Sequence, residues 1–238
     1  MQKLTRPTKL NGIDVILLES RPDYEHLKEI LFTMGSNASN IRKSSPTSAD
    51  DPVKVLVDHV FPVKGIGMVL LGLVTSGIVR AGEMYDLAPV QNKVILRSIQ
   101  KFDRDFKEAF VGDRVGLALK GLKSPDLDRN TVFCSLNSMK KADHATGILF
   151  VSPFYKPQNP TGQISPEDTR NYHLVADLAI SPIKLLGGDS ISPGKFGTLD
   201  IKVEKPLAHD AQGLRGIVAD FGPFTKKLRI VGYFQQTM

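Results

Sequence analysis

The sequence predicts a mainly β protein: two consecutive antiparallel β-barrels behind a short α/β segment. Three observations carry this. From Val53 onward the apolar residues fall in short, partly β-branched runs. Glycines interrupt those runs about every ten residues, the punctuation of barrels and sandwiches. The runs also divide into two blocks of similar size, with a boundary near residues 137–144.

Residues 1–51 have a different texture. Ile13-Asp14-Val15-Ile16-Leu17-Leu18 predicts a short strand, and Arg21-Pro22-Asp23 stops it. Asp23 is placed to cap a helix through Tyr24, Leu27, Ile30, Leu31 and Met34, which recur at helical spacing. Gly35 is expected to end that helix, and residues 36–51, rich in Ser, Asn, Asp and Pro, read as a linker. One strand and one helix bury too little apolar surface for a core of their own. This piece is therefore expected to dock on something or to be the remnant of a larger domain.

Residues 52–139 form the first β block. Strands are predicted at 53–57, 68–74, 78–79, 94–99 and 114–119, with Gly65-Ile66-Gly67 turning the chain between the first two. Residues 140–238 form the second, with strands at 147–151, 172–180, 197–203, 214–219 and 228–234. Pro153, Pro157, Pro160 and Pro166 fill a long loop between the first two of these.

Composition narrows the function classes. The 238 residues permit one large domain or two of ordinary size. No apolar run approaches the length that crosses a bilayer, so no membrane role is expected. The first six residues have no apolar core behind them, so no secretory signal is expected and a cytoplasmic location is the default. Met1 fits a gene product that starts here. Cys134 is the single cysteine, which excludes a disulfide framework or multi-cysteine zinc site within one chain. No metal site is expected. The net charge of +6 permits nucleic-acid binding through phosphate neutralisation without proving it.

The order of the short motifs is more specific than any one of them. Asp58-His59-Val60-Phe61-Pro62-Val63-Lys64-Gly65-Ile66-Gly67 is followed by Gly72-Leu73-Val74, Ser76-Gly77-Ile78-Val79 and Leu96-Arg97-Ser98-Ile99-Gln100. Gly112-Asp113-Arg114-Val115-Gly116 and Asp128-Arg129-Asn130-Thr131-Val132 come next. This series resembles the second domain of translation elongation factors. Ser192-Pro193-Gly194, Lys205-Pro206-Leu207, Gly213-Leu214-Arg215 and Leu228-Arg229-Ile230-Val231-Gly232 resemble the third. The wording is most similar to the selenocysteine-specific type, especially an archaeal form. Asn130 departs from the family's glycine, and asparagine tolerates a left-handed backbone better than most residues.

The resemblance implies a GTPase domain that these residues do not spell. There is no Gly-x-x-x-x-Gly-Lys-Ser/Thr loop, and Asn92-Lys93 is followed by Val94-Ile95 rather than by a guanine-reading Asp. Asp113-Arg114-Val115-Gly116 fits Asp-x-x-Gly by spelling but belongs to the β block. The chain is therefore expected to bind no GTP or Mg²⁺ on its own, to carry no catalytic residues, and to need no cofactor. GTP and Mg²⁺ are expected only of full-length relatives. The strand and helix at 13–34 are expected to be a relic of the nucleotide domain.

The resemblance also implies a site. In the family the second barrel holds the aminoacyl end of charged tRNA, and in selenocysteine-specific members one acidic and two basic residues line that pocket. By motif position these are Asp58, His59 and Arg114, with Phe61, Gln100 and Phe102 beside them. Histidine at 59 is a departure, since arginine is usual in the bacterial pattern. Residues expected to meet RNA phosphates are Lys64, Arg97, Lys101 and Arg104 in the first barrel, and Arg215, Lys226, Lys227 and Arg229 in the second. A continuous basic stripe from Arg114 to Arg215 and Arg229 would favour RNA. A contiguous apolar patch in the first 35 residues would favour a protein partner.

The function expected on this basis is binding of (aminoacyl-)tRNA or another structured RNA without nucleotide switching, or with switching borrowed from a partner. The alternative is a protein-interaction module that docks on a ribosome, a synthetase or a translation GTPase. His209-Asp210 is the nearest approach to a catalytic pair and is expected to be a turn.

Overall fold

A computed structural model describes residues 19, 21–42, 50–120, 122, 127–222 and 229–237. The strand expected at 13–18 lies outside these. The chain divides into two compact units, 1–46 and 47–238.

In the first unit, helix α1 spans Arg21–Arg42. Gly35 does not end it. Glycine inside a helix costs about 1 kcal/mol relative to alanine but leaves the helical conformation open, so the helix continues into the expected linker. Asp23 lies in the first turn rather than at the cap, and its carboxylate reaches back to accept from the Glu19 N–H at 3.1 Å.

The second unit holds two barrels. The strands of the first are β1 (Lys54–Val63), β2 (Gly67–Ser76), β3 (Val79–Arg80), β4 (Met84–Ala88), β5 (Asn92–Lys101), β6 (Arg104–Phe106), β7 (Glu108–Ala109), β8 (Arg114–Lys120) and β9 (Val132–Cys134). Their lateral order is β4-β9-β1-β2-β8-β5, and β5 pairs back on β4, which closes the ring. β6 extends β5 as a hairpin, and β3 pairs with β7 apart from the ring. Alternation decides which residues fill the barrel. Val55 and Val57, Leu70 and Val74, Val115, Leu117 and Leu119 point inward and are buried. Gly65 and Gly67 take φ of +80° and +108° at the β1–β2 turn, a region in which only glycine is unstrained.

The second barrel is a closed ring of β10 (Lys140–Val151), β13 (Phe196–His209), β12 (Ala179–Gly188), β11 (Tyr172–Ala176), β14 (Arg215–Asp220) and β15 (Arg229–Gln236). The single strand expected at 172–180 is two strands. The chain reverses at Asp177, with φ +53°, a conformation that aspartate tolerates. Apolar residues run on through the turn, which hid the break. Sequence reading also missed β4; β10 starts before its expected limit, and β13 starts before and ends after its own.

The two barrels share a seam. Ala88, Val132, Cys134 and Ala208 form a small buried cluster with Leu56 and Met139 against it. Polar bonds flank it: Lys54 Nζ meets Asp177 at 2.7 Å, and the Ile180 N–H donates to Asn130 Oδ1 at 3.3 Å. Asn130 is not left-handed. Its side chain links the barrels instead. Burial pushes the Cys134 thiol up to about 11. We therefore expect no labelling of Cys134 by a thiol reagent at about pH 8 until the chain unfolds. Labelling of the native chain at the rate of a free thiol would contradict this burial.

Candidate functional site

The site expected from the sequence assembles on the outer face of the first barrel. β1 and β2 pair Val57 with Gly72 and His59 with Leu71, so Asp58 is an extra residue on β1, a β-bulge. A bulge re-aims the side chain at the break in the ladder. Leu73 on β2 pairs with Arg114 on β8. The result is a three-residue clamp. Arg114 Nη1 lies 2.7 Å from Asp58 Oδ2, and His59 Nδ1 lies 3.0 Å from Asp58 Oδ1. Asp58 is 19% exposed, whereas Arg114 and His59 are 62% and 58% exposed. The carboxylate is thus a sheltered post between two basic groups that face solvent.

The electrostatics follow from that geometry. Burial works to raise the Asp58 carboxyl, but hydrogen bonds from His59 and Arg114 and their charges outweigh it and hold it below its ordinary range. Arg129, which sequence reading passed over, donates from Nε to the Asp58 main-chain oxygen at 3.3 Å. Its only signal was its place in the motif ahead of β9.

The cross-strand register carries the site sideways. His59 pairs with Leu71, Leu71 with Gly116, Gly116 with Gln100, and Gln100 with Asp105. Gly116 and Ala118 alternate with the inward Leu117, so small residues floor this face. Gln100 donates to Asp105 at 3.1 Å. Phe61 is exposed, two residues along β1 from His59. Phe102 forms a two-residue turn with Asp103 between β5 and β6, at φ of +51° and +59°. Such a turn normally takes Asn or Gly. Here it carries a ring that is 91% exposed, at the Arg114 end of β8.

The basic residues divide. Lys64 and Arg104 are exposed, and Arg97, also exposed, reaches the Ile66 carbonyl at 3.4 Å near the β1–β2 turn. Lys101 is 10% exposed and committed to Asp113 at 2.8 Å, with the Phe106 ring 4.2 Å from its Nζ. Arg215 forks onto Asp210 with both contacts at 3.0 Å. Arg229 is bound to buried Asp220. Arg215 and Arg229 stand at opposite ends of β14 and β15, about 17 Å apart at the strand rise. Lys226 and Lys227 lie outside the described residues. His209 Nδ1 faces the Asp210 carbonyl at 2.8 Å, not its carboxylate. Among the described residues no group of three His, Cys, Asp or Glu is placed to hold a metal.

The Asp210 fork carries a pH prediction. Burial raises this carboxyl, but the Arg215 fork and the Gln212 N–H outweigh it and hold it low. A depressed folded value means the contribution is complete above the unfolded value, about 3.9, and is lost as pH falls through the folded one. Asp210→Asn should flatten the acid limb of the stability profile, measured as urea midpoint against pH. An unchanged limb would show that the fork contributes nothing.

A groove of about 680 Å³ lies on the second barrel, lined by residues 168–173 and 182–186, Glu204 and Phe221. His173 meets Phe221 edge-on at 4.4 Å between centroids. Its lining comes from four separate stretches, so no sequence motif announced it.

No family model matches the chain. Over 165 residues it is 37% identical to an uncharacterized protein of Methanocaldococcus jannaschii, covering 69% of this chain and 50% of that one. Over 89 residues it is 36% identical to the selenocysteine-specific elongation factor of the same organism, covering 37% of this chain and 19% of that factor. The apo crystal structure of elongation factor SelB from Methanococcus maripaludis superposes with a TM-score of 0.72 at 23% identity, covering 90% of this chain and 46% of SelB.

The two barrels are SelB-like.

A bacterial selenocysteine-specific elongation factor agrees, with a TM-score of 0.65 at 18% identity over 87% of this chain and 31% of the factor. The chain spans half the length of one of these curated relatives and about a fifth of the other. The SelB-like fold is shared, and the Asp58 clamp lies on the outer face of its first barrel.

Proposed function

We propose that this chain is a translation-factor-like protein that binds aminoacyl-tRNA or a related structured RNA, with the aminoacyl end at Asp58, His59 and Arg114. One observation carries the reading. A β-bulge turns Asp58 to hold two exposed basic groups on the outer face of a SelB-like barrel. Both carboxylate oxygens are occupied, so the role of Asp58 is to orient Arg114 and His59 rather than to receive the ligand. Phosphate contacts fall to the exposed Lys64, Arg97 and Arg104 on the first barrel, since Lys101, Arg215 and Arg229 are tied to carboxylates. The seam between the barrels brings them side by side to grip one RNA. These 238 residues spell no nucleotide loop, so any GTP-driven step is made outside them. The chain acts as a binding protein rather than an enzyme, and its place is the cytoplasm.

Salt dependence tests this. Phosphate-led binding weakens linearly in log affinity against log salt, because each neutralised phosphate releases a counterion. Wild-type affinity for tRNA should fall steeply between about 50 and 200 mM salt, and Arg97→Ala or Arg104→Ala should each reduce the slope by about one unit. A flat response would sink the RNA reading.

A second reading has its own observation. Tyr24, Leu31, Phe32 and Met34 on α1 are 55%, 56%, 78% and 62% exposed. Apolar exposure of this kind favours a protein partner for the N-terminal unit, beside the RNA role of the barrels.

A further inference from the structure

The outer face of the second barrel carries a row of apolar side chains where strand alternation leads one to expect polar ones. The register places it. Phe196 on β13 pairs with Phe150 on β10, Phe150 with Tyr233 on β15, Tyr233 with Ile217 on β14, and Ile217 with Val175 on β11. Their neighbours along the strands, Leu149, Val151, Phe234 and Val218, already fill the core. Phe196, Tyr233 and Ile217 are exposed, and the Phe150 ring lies 4.7 Å from that of Phe196. Ile148 and Ile230 are exposed beside the row. A contiguous apolar patch on the outside of a barrel marks an interaction surface.

Charge and shape choose the occupant. The chain has a net charge of +6, yet this row and the one beside it (Thr198, Ile148, Gln235 and Arg215) hold a single charged side chain. That one, Arg215, is forked onto Asp210. These two rows offer a phosphate no free cation, and they offer a second copy no repulsion. The barrel curves, so a facing surface meets the middle of the row: Phe150, Tyr233 and Ile217. The row runs from rings at one end to branched aliphatic chains at the other. A two-fold axis along the strands at Tyr233 reverses it, setting Phe150 of one copy over Ile217 of the other and Tyr233 against its own counterpart. We propose that this face of the second barrel binds a second copy of the chain in an isologous dimer. The inference is independent of the RNA reading. Area sets the strength: an apolar patch of about 300–600 Å² falls short of the roughly 800 Å² that each partner of a stable complex buries, so the dimer is reversible, with a dissociation constant of about 10 µM.

Sedimentation velocity on the full chain, freed of nucleic acid, tests this. Between about 2 and about 200 µM the sedimentation coefficient should rise from monomer to dimer, and added salt should not reverse the rise, since burial of apolar surface drives it. Tyr233→Asp sets two like charges against each other on the axis, and Tyr233→Lys does the same with the opposite sign. Each variant alone should dimerise at least about tenfold more weakly. An equimolar mixture of the two should regain the dimer, which separates contact across the axis from damage to the fold. Met84→Asp, on the first barrel, should leave the dimer unchanged. A monomer at every concentration would overturn the proposal and leave the face to a different protein. So would a dimer that Tyr233→Asp does not weaken, or a mixture no more associated than either variant alone. None of these results bears on RNA binding, which the salt series measures separately.

Discussion

Asp220→Ala is expected to cost about 3–5 kcal/mol of stability, the range for removing one partner of a buried ion pair. Asp220 is fully buried. Arg229 Nη2 meets its Oδ2 at 2.5 Å, and Arg170 Nε lies 3.3 Å from the same oxygen. The Tyr155 hydroxyl donates to Oδ2 and the Gly222 N–H to Oδ1, at 2.8 Å each. Removing the carboxylate leaves two guanidinium groups facing each other, with little water to take its place. Their Nε atoms already lack a hydrogen-bond partner among the described residues. Asp220→Asn keeps shape and one acceptor and should lose less, which separates charge from packing. Urea unfolding measures both. A loss under about 1 kcal/mol for the alanine variant would show that the two arginines find other partners.

Gly232→Ala is expected to cost about 3 kcal/mol, the upper end for overpacking. Gly232 on β15 pairs with Val151 on β10, the ladder that closes the second barrel. A Cβ there would stand 1.8 Å from the Phe150 carbonyl oxygen. No rotamer relieves a clash between a Cβ and backbone, so β15 must move away from β10. The barrel then loses hydrogen bonds where it closes. Thermal unfolding should show a lower transition in Gly232→Ala, while Gly162→Ala, with open space at its Cβ, should stay near wild type apart from the cost of its positive φ. Equal transitions for the two would contradict the close approach.

These two residues show what could and could not be read from the sequence. Gly232 was visible as part of a family motif, but not the carbonyl that forbids a side chain there. Asp220 carried no signal, because its partners at 155, 170 and 229 come together only when β14, β15 and the long loop meet. Barrel strands were legible because inward and outward residues alternate. The β11–β12 break was not, since apolar residues continue on both sides of Asp177 while the inward face shifts phase at the exposed Asp177 and Leu178. At the candidate site the motif order placed Asp58 and Arg114 side by side in expectation, and the coordinates join them at 2.7 Å. Lys101, Arg215 and Arg229 illustrate the opposite case. A basic residue in sequence carries no record of the carboxylate that already holds it.

The central claim is that Arg114, oriented by Asp58, holds the aminoacyl end of a tRNA. The most direct measurement is the ratio of affinities for charged and uncharged tRNA in wild type, Arg114→Ala, Asp58→Ala and the double variant. Wild type should favour charged tRNA. Each single variant should lower that preference by about tenfold, as loss of a charge-assisted contact implies, and the double variant should lose no more than either. A preference that survives intact in Arg114→Ala would place the aminoacyl end elsewhere.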